Sequence, residues 1–363
     1  MRKVLFNLHL CLALAAGVFV ILLGLTGSIM AFEPEIDHLL HWKTSYVTPQ
    51  GQAKSLAEIE AAVEKAFPGE RIGGYLLPNA PNLSYGVGLQ RGLVAVNQYT
   101  GEILGVREGG MDFLGYVHQL HLRLLLRSRS DPGKKIMSWV GMVIIFLLLS
   151  GLYLWWPLMR ITIHPGAQSR RFWFDLHNTI GVCSLAFLLI LAVTGVMIGF
   201  EQTTVPWFYK VTGSQPSSRP AIPPPAPGAK PITPDQAMAI ARGAIPGAEP
   251  FQINVPGPKG AYQIRSHFPE DLTPGGRSFV VIDQYTGKVL FAEGSRTAPA
   301  GARIVIQNRA IHTGDIFGIP SKTVMSLASL AIVAQAISGV VMWWKRIRAR
   351  FPARRASSHH AAH

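Results

Sequence analysis

"FNLHLCLALAAGVFVILLGLTGSIMAFE" (Phe6–Glu33) decides how this chain is built, because the chain contains it twice. The counterpart is "FDLHNTIGVCSLAFLLILAVTGVMIGFE" (Phe174–Glu201). His9/His177, Phe19/Phe187, Thr26/Thr194 and Glu33/Glu201 fall in one register, at a constant offset of 168 residues. Both stretches are apolar over a length that can cross a bilayer, for which about 20 helical residues suffice. An apolar run near the start of a chain can also be a secretory leader. A leader's apolar region is only about 7–15 residues long, however, and the mid-chain copy could not act as one. The first run is therefore expected to remain as a membrane helix.

The correspondence extends outward. "AVNQYTGEILG" (Ala95–Gly105) answers to "VIDQYTGKVLF" (Val281–Phe291). "KKIMSWVGMVIIFLLLSGLYLWW" (Lys134–Trp156) answers to "KTVMSLASLAIVAQAISGVVMWW" (Lys322–Trp344). Each half reads helix, polar segment, helix. In the polar segments "SLAEIEAAVEKAF" (Ser55–Phe67) and "TPDQAMAIARGAI" (Thr233–Ile245) start as capped helices, the second with Pro at its first position. Short alternating strands follow, such as "LSYGVGL" (Leu83–Leu89) and "GAYQIRS" (Gly260–Ser266). Tyr99-Thr100-Gly101 and Tyr285-Thr286-Gly287 then read as hairpin turns.

The expected order is a first span over 10–32, then a polar region over 35–135 with an α+β unit at about 53–108 and a helix leading back to the membrane. A second span (139–157), a loop (158–176) and a third span (177–201) come next. The second polar region (202–320) holds a Pro-rich tether (214–234) and another unit at about 232–294. A fourth span (322–344) and a basic tail (345–363) end the chain. The fold class is membrane α+β: four transmembrane helices in a bundle, from two tandem pseudo-repeats that each carry a small soluble unit.

Composition agrees. The 363 residues are 48% apolar and only 15% charged, which suits a protein partly dissolved in lipid. A formal charge of +14 would suit nucleic acid, but its placement argues otherwise. Basic residues gather at Arg2/Lys3, from Arg160 to Arg171, and from Lys345 to Arg355, each group beside the end of an apolar run. Cytoplasmic flanks carry that bias, so the partner is membrane lipid and no nucleic acid is expected. Both termini should then be cytoplasmic and both polar regions on the far side, the periplasm of a Gram-negative inner membrane. Trp155/Trp156 and Trp343/Trp344 sit where interfacial aromatic belts belong. Two cysteines, Cys11 and Cys183, lie inside apolar runs and build neither a disulfide framework nor a thiolate metal site.

Twelve histidines are present, and four stand out by position. His9 and His177 share a register at the cytoplasmic ends of spans one and three. His121 ("QLHLRLL") and His312 ("AIHTGDIFG") precede spans two and four on the other side. His118, three residues before His121, can share its helical face. The remainder read as loop, interface or tail residues. An ionisable residue at membrane depth is a functional hypothesis by default; the plain alternative is an interfacial histidine bonded to a backbone carbonyl. Proton relay and ion transport usually enlist midplane carboxylates, and the span cores contain no Asp, Glu, Lys or Arg. Zinc would need three or four converging ligands. Two imidazoles facing each other from apolar helices suit axial ligation of haem, and a pair near each face would hold two haems b in series across the bilayer. Gly24, Gly27, Gly151, Gly195 and Gly339 would admit either a macrocycle or a close neighbouring helix. Arg123 and Arg309 are candidate partners for haem propionates, with ordinary interface arginines as the alternative. Glu33 and Glu201, at the far ends of spans one and three, can tune a haem, attract a cationic ligand, or simply sit at an interface.

"QYTG" in each soluble unit, "LHLRLLL", "SGLYLWWP", "FDLHNTIG", "IHTGDIFG" and "SGVVMWWKR" together resemble the PepSY-associated transmembrane helix family, over nearly the whole chain. The resemblance implies PepSY-like periplasmic units and an iron-regulated inner-membrane protein similar to di-haem reductases of ferric siderophores. In the family pattern leucine-histidine dipeptides precede the spans; here these are Leu8-His9, Leu120-His121 and Leu176-His177, with Ile311-His312 as the variant. That favours His121 over His118, although aligning "VHQ" with "IHT" favours His118. The implied activity is electron delivery from a cytoplasmic or quinol donor, through a haem on His9/His177 and a haem on His121/His312, to a ferric siderophore. One-electron reduction frees the iron, because oxygen-rich chelators hold Fe(II) far less well than Fe(III). No G-x-G-x-x-G fingerprint of a nicotinamide or flavin site opens a helix after a strand, so the donor is external. Two rival readings are a cofactor-free, membrane-anchored PepSY sensor or peptidase regulator, and an iron or siderophore permease component, for which four helices without intramembrane charge make a poor pathway.

Overall fold

The computed structural model describes residues 1–350, apart from 79, 127, 165–168, 219–220, 225–227 and 274. The end of the basic tail, with His359, His360 and His363, and parts of the Pro-rich tether lie outside the described residues. The chain order is α1 (Arg2–Met30), α2 (Glu33–Leu40), α3 (Trp42–Ser45), α4 (Leu56–Ala66), β1 (Gly74–Leu76), β2 (Tyr85–Leu89), β3 (Gly92–Val96) and β4 (Ile103–Glu108). Then come α5 (Phe113–Arg123), α6 (Pro132–Trp155), α7 (Ser169–Gly199), α8 (Glu201–Val211) and α9 (Pro234–Ala244). The chain continues through β5 (Glu249–Asn254), β6 (Ala261–His267), β7 (Ser278–Asp283), β8 (Val289–Glu293), α10 (Ala300–Thr313) and α11 (Ile319–Arg350). Two compact units result. One comprises Met1–Ala31, His118–Gly199 and the chain from Thr323 onward; the other comprises Phe32–Val117 and Phe200–Lys322.

The first unit holds α1, α6, α7 and α11, all long and apolar enough to cross a membrane. They close into a bundle. Ala16 and Val20 of α1 pack with Val140 and Ile144 of α6 and Ala192 of α7. Gln335 of α11 donates through Nε2 to the His177 carbonyl of α7 at 2.6 Å. Between α11 and α1, Ser326 Oγ donates to the Ser28 carbonyl at 3.1 Å. A Cβ on Gly24 would lie 2.6 Å from the Ser329 carbonyl oxygen and from Val333 Cγ2, so only glycine fits that approach.

The helices are longer than their apolar windows. α1 starts at Arg2, α7 at Ser169, and α11 runs to Arg350, since Lys and Arg are good helix formers and carry their charges out along flexible stems. His9 and His177 therefore lie about two turns inside their helices, rather than at the mouths. For the same reason α7 includes Asp175, which is buried.

The second unit is built on one antiparallel sheet of eight strands in the order β4-β3-β2-β1-β5-β6-β7-β8. The join is β1 to β5, with Tyr75 opposite Ile253. Ile59, Val63, Val87, Val94, Ile253, Ile264, Val280 and Ile282 fill the core between the sheet and helices α4 and α9. Capping boxes start both helices: Ser55 with Glu58, and Thr233 with Gln236. Asp235 of α9 also accepts the backbone N–H groups of Leu56 and Ala57, both at 2.9 Å, so one helix start caps the other.

Each QYTG segment is a turn with its own fastenings. The Asn97 side-chain oxygen accepts from the N–H groups of Tyr99 and Thr100, and Asp283 does the same for Tyr285 and Thr286. Gln98 Nε2 donates to the carbonyls of Pro81 and Leu83, Gln284 Nε2 to those of Gly257 and Gly260. Tyr99 and Tyr285 hydroxyls donate to Pro81 and Pro258. Gly101 and Gly287 adopt φ of +79° and +69°, which side-chain-bearing residues avoid.

Candidate functional site

Three of the four marked histidines lie in the bundle unit, and each meets a hydroxyl of a neighbouring helix. His9 Nδ1 is 2.8 Å from Ser150 Oγ of α6. His177 Nδ1 is 2.9 Å from Ser338 Oγ of α11. His121 Nδ1, at the end of α5, is 2.8 Å from Thr26 Oγ1 of α1. A glycine follows each hydroxyl residue, and the imidazole edge lies against it. A Cβ added at Gly151, Gly339 or Gly27 would stand 3.5, 3.7 or 3.3 Å from the corresponding Cε1.

The hydroxyls fit one tautomer well. A hydroxyl has one hydrogen to give. Ser150 Oγ donates to the Leu147 carbonyl at 3.2 Å, Ser338 Oγ to Gln335 at 3.0 Å, and Thr26 Oγ1 to Leu22 at 2.5 Å. With the hydroxyl hydrogen so placed, each oxygen accepts from the imidazole, and Nδ1 carries the ring hydrogen. Nε2 is then the lone-pair nitrogen. For His9 and His177 no partner occupies Nε2 among the described residues, and the two rings are near enough to interact electrostatically. A neutral imidazole whose Nδ1–H is fixed by a second group is the form in which histidine ligates a metal.

The other candidates divide. His312 is the penultimate residue of α10, half-buried, before a left-handed Gly314 (φ +79°). His118, also half-buried, is one helical turn from His121 on α5. Arg123 Nε lies 3.3 Å from Asp131 Oδ2. The pair is not aligned as a hydrogen bond, but it gives that guanidinium a carboxylate neighbour. Arg309 is exposed on α10, and its guanidinium makes no hydrogen bond or ion pair among the described residues. Glu33 and Glu201 are the first residues of α2 and α8, where a carboxylate favours the helix N-terminus.

Other arrangements were not legible in the sequence. His164, read as a loop residue, places Nδ1 2.8 Å from Oδ2 of buried Asp175, with Arg171 Nε at 3.6 Å. Asp37, His41 and Asp112 bring donor atoms within 4.8 Å of one another. Arg107 Nη1 already holds both Asp37 oxygens, at 3.0 and 2.8 Å, so the group works as an ion-pair cluster. The i, i+4 spacing of Asp37 and His41 was the one cue to it.

Four apolar spans, with an antiparallel α+β unit carried between them, define a polytopic membrane protein. The chain matches the family described as the PepSY-associated TM region over residues 6–346, nearly its whole length, and belongs to that family. No match emerges among curated proteins.

Proposed function

We propose that this chain is a haem-dependent reductase of a bacterial inner membrane, which passes electrons outward to a periplasmic ferric siderophore and so releases Fe(II) for uptake. The observation that carries the reading is the pair of imidazoles: His9 and His177 each set Nδ1 against a hydroxyl of a neighbouring helix, the arrangement in which Nε2 serves as a ligand nitrogen inside an apolar bundle. Haem, when bound, supplies one-electron Fe(III)/Fe(II) chemistry. Every other task falls to the chain. His9 and His177 are the proposed ligands of an inner haem, by their common register and mutual proximity. For an outer haem we retain His121 and His312 from the sequence order, with His118 in reserve. Ser150, Ser338 and Thr26 orient the rings, and the apolar helix faces exclude water.

The halves are read as a tandem duplication whose soluble parts are PepSY-like units on the periplasmic side, with both termini in the cytoplasm. An external cytoplasmic or quinol donor completes the path. The test is spectroscopic. Full-length protein purified in mild detergent is expected to show a Soret band and sharp α and β bands on reduction, as six-coordinate haem gives. His9→Ala or His177→Ala should remove one haem, and His121→Ala or His312→Ala the other. A colourless, metal-free protein from haem-replete cells would overturn the proposal in favour of a cofactor-free sensor or regulator.

A further inference from the structure

In the soluble unit the half-buried Arg277 guanidinium feels two further guanidinium groups against one carboxylate, Asp271. Arg265 (β6) is paired with Phe279 (β7) in the sheet register, and Ser266 with Ser278. Side chains alternate along a strand, so Arg265 points away from buried Ile264 and Ser266, and Arg277 is the bend residue directly before the Ser266–Ser278 pair. Arg265 is held ready: it stacks over Phe251 at 5.4 Å from the ring centre, and its Nη2 donates to the Gly275 carbonyl at 2.9 Å. Arg277 is different. It is half-buried, its Nε is buried, and that nitrogen has no hydrogen-bond partner among the described residues. Arg309 of α10 acts on Arg277 as a like charge, as Arg265 does.

Burial, then Arg309 and Arg265, pulls the Arg277 guanidinium down to about 10, and it stays charged at neutral pH. Asp271 is the one carboxylate that opposes this. Its oxygens are already used by the Phe268 N–H at 2.8 Å and the Ser295 hydroxyl at 2.5 Å. Gathering like charges around a buried, unpaired donor costs free energy unless an anion completes the site. Planar guanidinium forks match carboxylate and phosphate oxygens, and three of them select for multiple charge.

We propose that Arg265, Arg277 and Arg309 form an exchangeable binding site for a multiply charged oxyanion on the soluble unit. The site stands on residues of that unit alone and does not depend on haem. Calorimetric titration of the full-length protein in detergent, at matched ionic strength, with citrate and with pyrophosphate as probes, tests it. At least one probe should bind saturably at one site per chain. Arg277→Gln and Arg309→Gln should each weaken it about 10- to 100-fold, while Arg71→Gln, on the same unit, leaves it unchanged. Arg277→Lys keeps the charge and should recover part of the affinity. Preference for citrate assigns the site to organic polycarboxylates, the chemistry of many ferric chelates; preference for pyrophosphate assigns it to phosphates.

Absence of saturable binding by both probes would overturn the proposal, as would equal loss in the Arg71 variant. Anions that fail to bind while haem content falls in both arginine variants would also overturn it, and would return these arginines to the cofactor. A colourless protein that still binds citrate would refute the haem reading and leave this one standing.

Discussion

Ser338→Ala tests the tautomer argument at its most exposed point. Ser338 is fully buried, and its oxygen stands between the His177 Nδ1–H and the Gln335 carbonyl, at 2.9 and 3.0 Å. Alanine removes that oxygen and little else. Nδ1–H is then left unpaired in an apolar bundle, a cost of about 1–3 kcal/mol. The alternative tautomer, with the hydrogen on Nε2, gains by the same amount and cannot ligate through that nitrogen. The penalty converts to a factor of roughly 5–150, at 1.4 kcal/mol per tenfold. This matches the roughly 10- to 100-fold cost of losing an outer-shell partner of a metal-bound histidine. The assay is transfer of haem from detergent-solubilised full-length protein to excess apo-globin, with haem-to-protein ratio and midpoint potential measured alongside. Ser338→Thr keeps the oxygen, as Thr26 does for His121, and should retain most of the haem. Ser184→Ala is the matched control: that hydroxyl is also buried on α7, donates to the Ile180 carbonyl at 2.7 Å, and touches no imidazole. If Ser338→Ala holds haem as tightly as Ser184→Ala and keeps its potential, the orienting role of the hydroxyl is refuted.

Three other outcomes are expected from stability measurements on the whole chain. Glu58 is held down at about 2 by the Ser55 N–H, with Lys54 and the Ser55 hydroxyl adding to it. A depressed carboxyl stabilises the fold above its unfolded value near 4.5 and loses that contribution as pH falls towards 2. The difference in melting temperature between wild type and Glu58→Gln should therefore shrink between pH 5 and pH 2; a pH-independent difference would exclude the capping carboxylate as its source. Gly101→Ala and Gly287→Ala should each cost about 1–2 kcal/mol, because both positions have positive φ. Asn at the same sites should cost clearly less, and equal losses for Ala and Asn would point to packing instead. Gly24→Ala should cost about 1–3 kcal/mol by pushing α1 off the Ser329 carbonyl of α11; an unchanged melting temperature would show that the helices part freely there.

Much of the architecture was legible before any coordinates. Four apolar runs of bilayer length announce four helices, since a helix satisfies its backbone groups within one segment, whereas barrel strands are only about 9–11 residues long. The helix starts at Ser55 and Thr233 and the glycines of the QYTG turns are local, and local rules found them; the partners Glu58 and Gln236 that close the caps came from the structure. Helix ends were less legible: a hydropathy window marks where apolar residues stop, whereas the helices continue through Arg2, Arg170 and Arg348. Only register and motif pointed to His9, His177 and His121. What holds them, Ser150, Ser338 and Thr26, lies 141, 161 and 95 residues away in the chain. No spacing rule links residues so far apart.

By itself, then, the sequence determined the membrane class with its four apolar spans, and it marked the candidate histidines. Each follows from hydropathy, periodicity or internal repetition, which act over short stretches or between copies of one stretch. Tertiary structure alone decided that eight strands form a single sheet, joined where β1 meets β5. It decided, too, that Arg277 Nε is buried with no hydrogen-bond partner among the described residues, and that His9, His177 and His121 each meet a hydroxyl on another helix. Those outcomes depend on which surfaces meet after the chain has folded, and so on long-range packing that no single segment encodes.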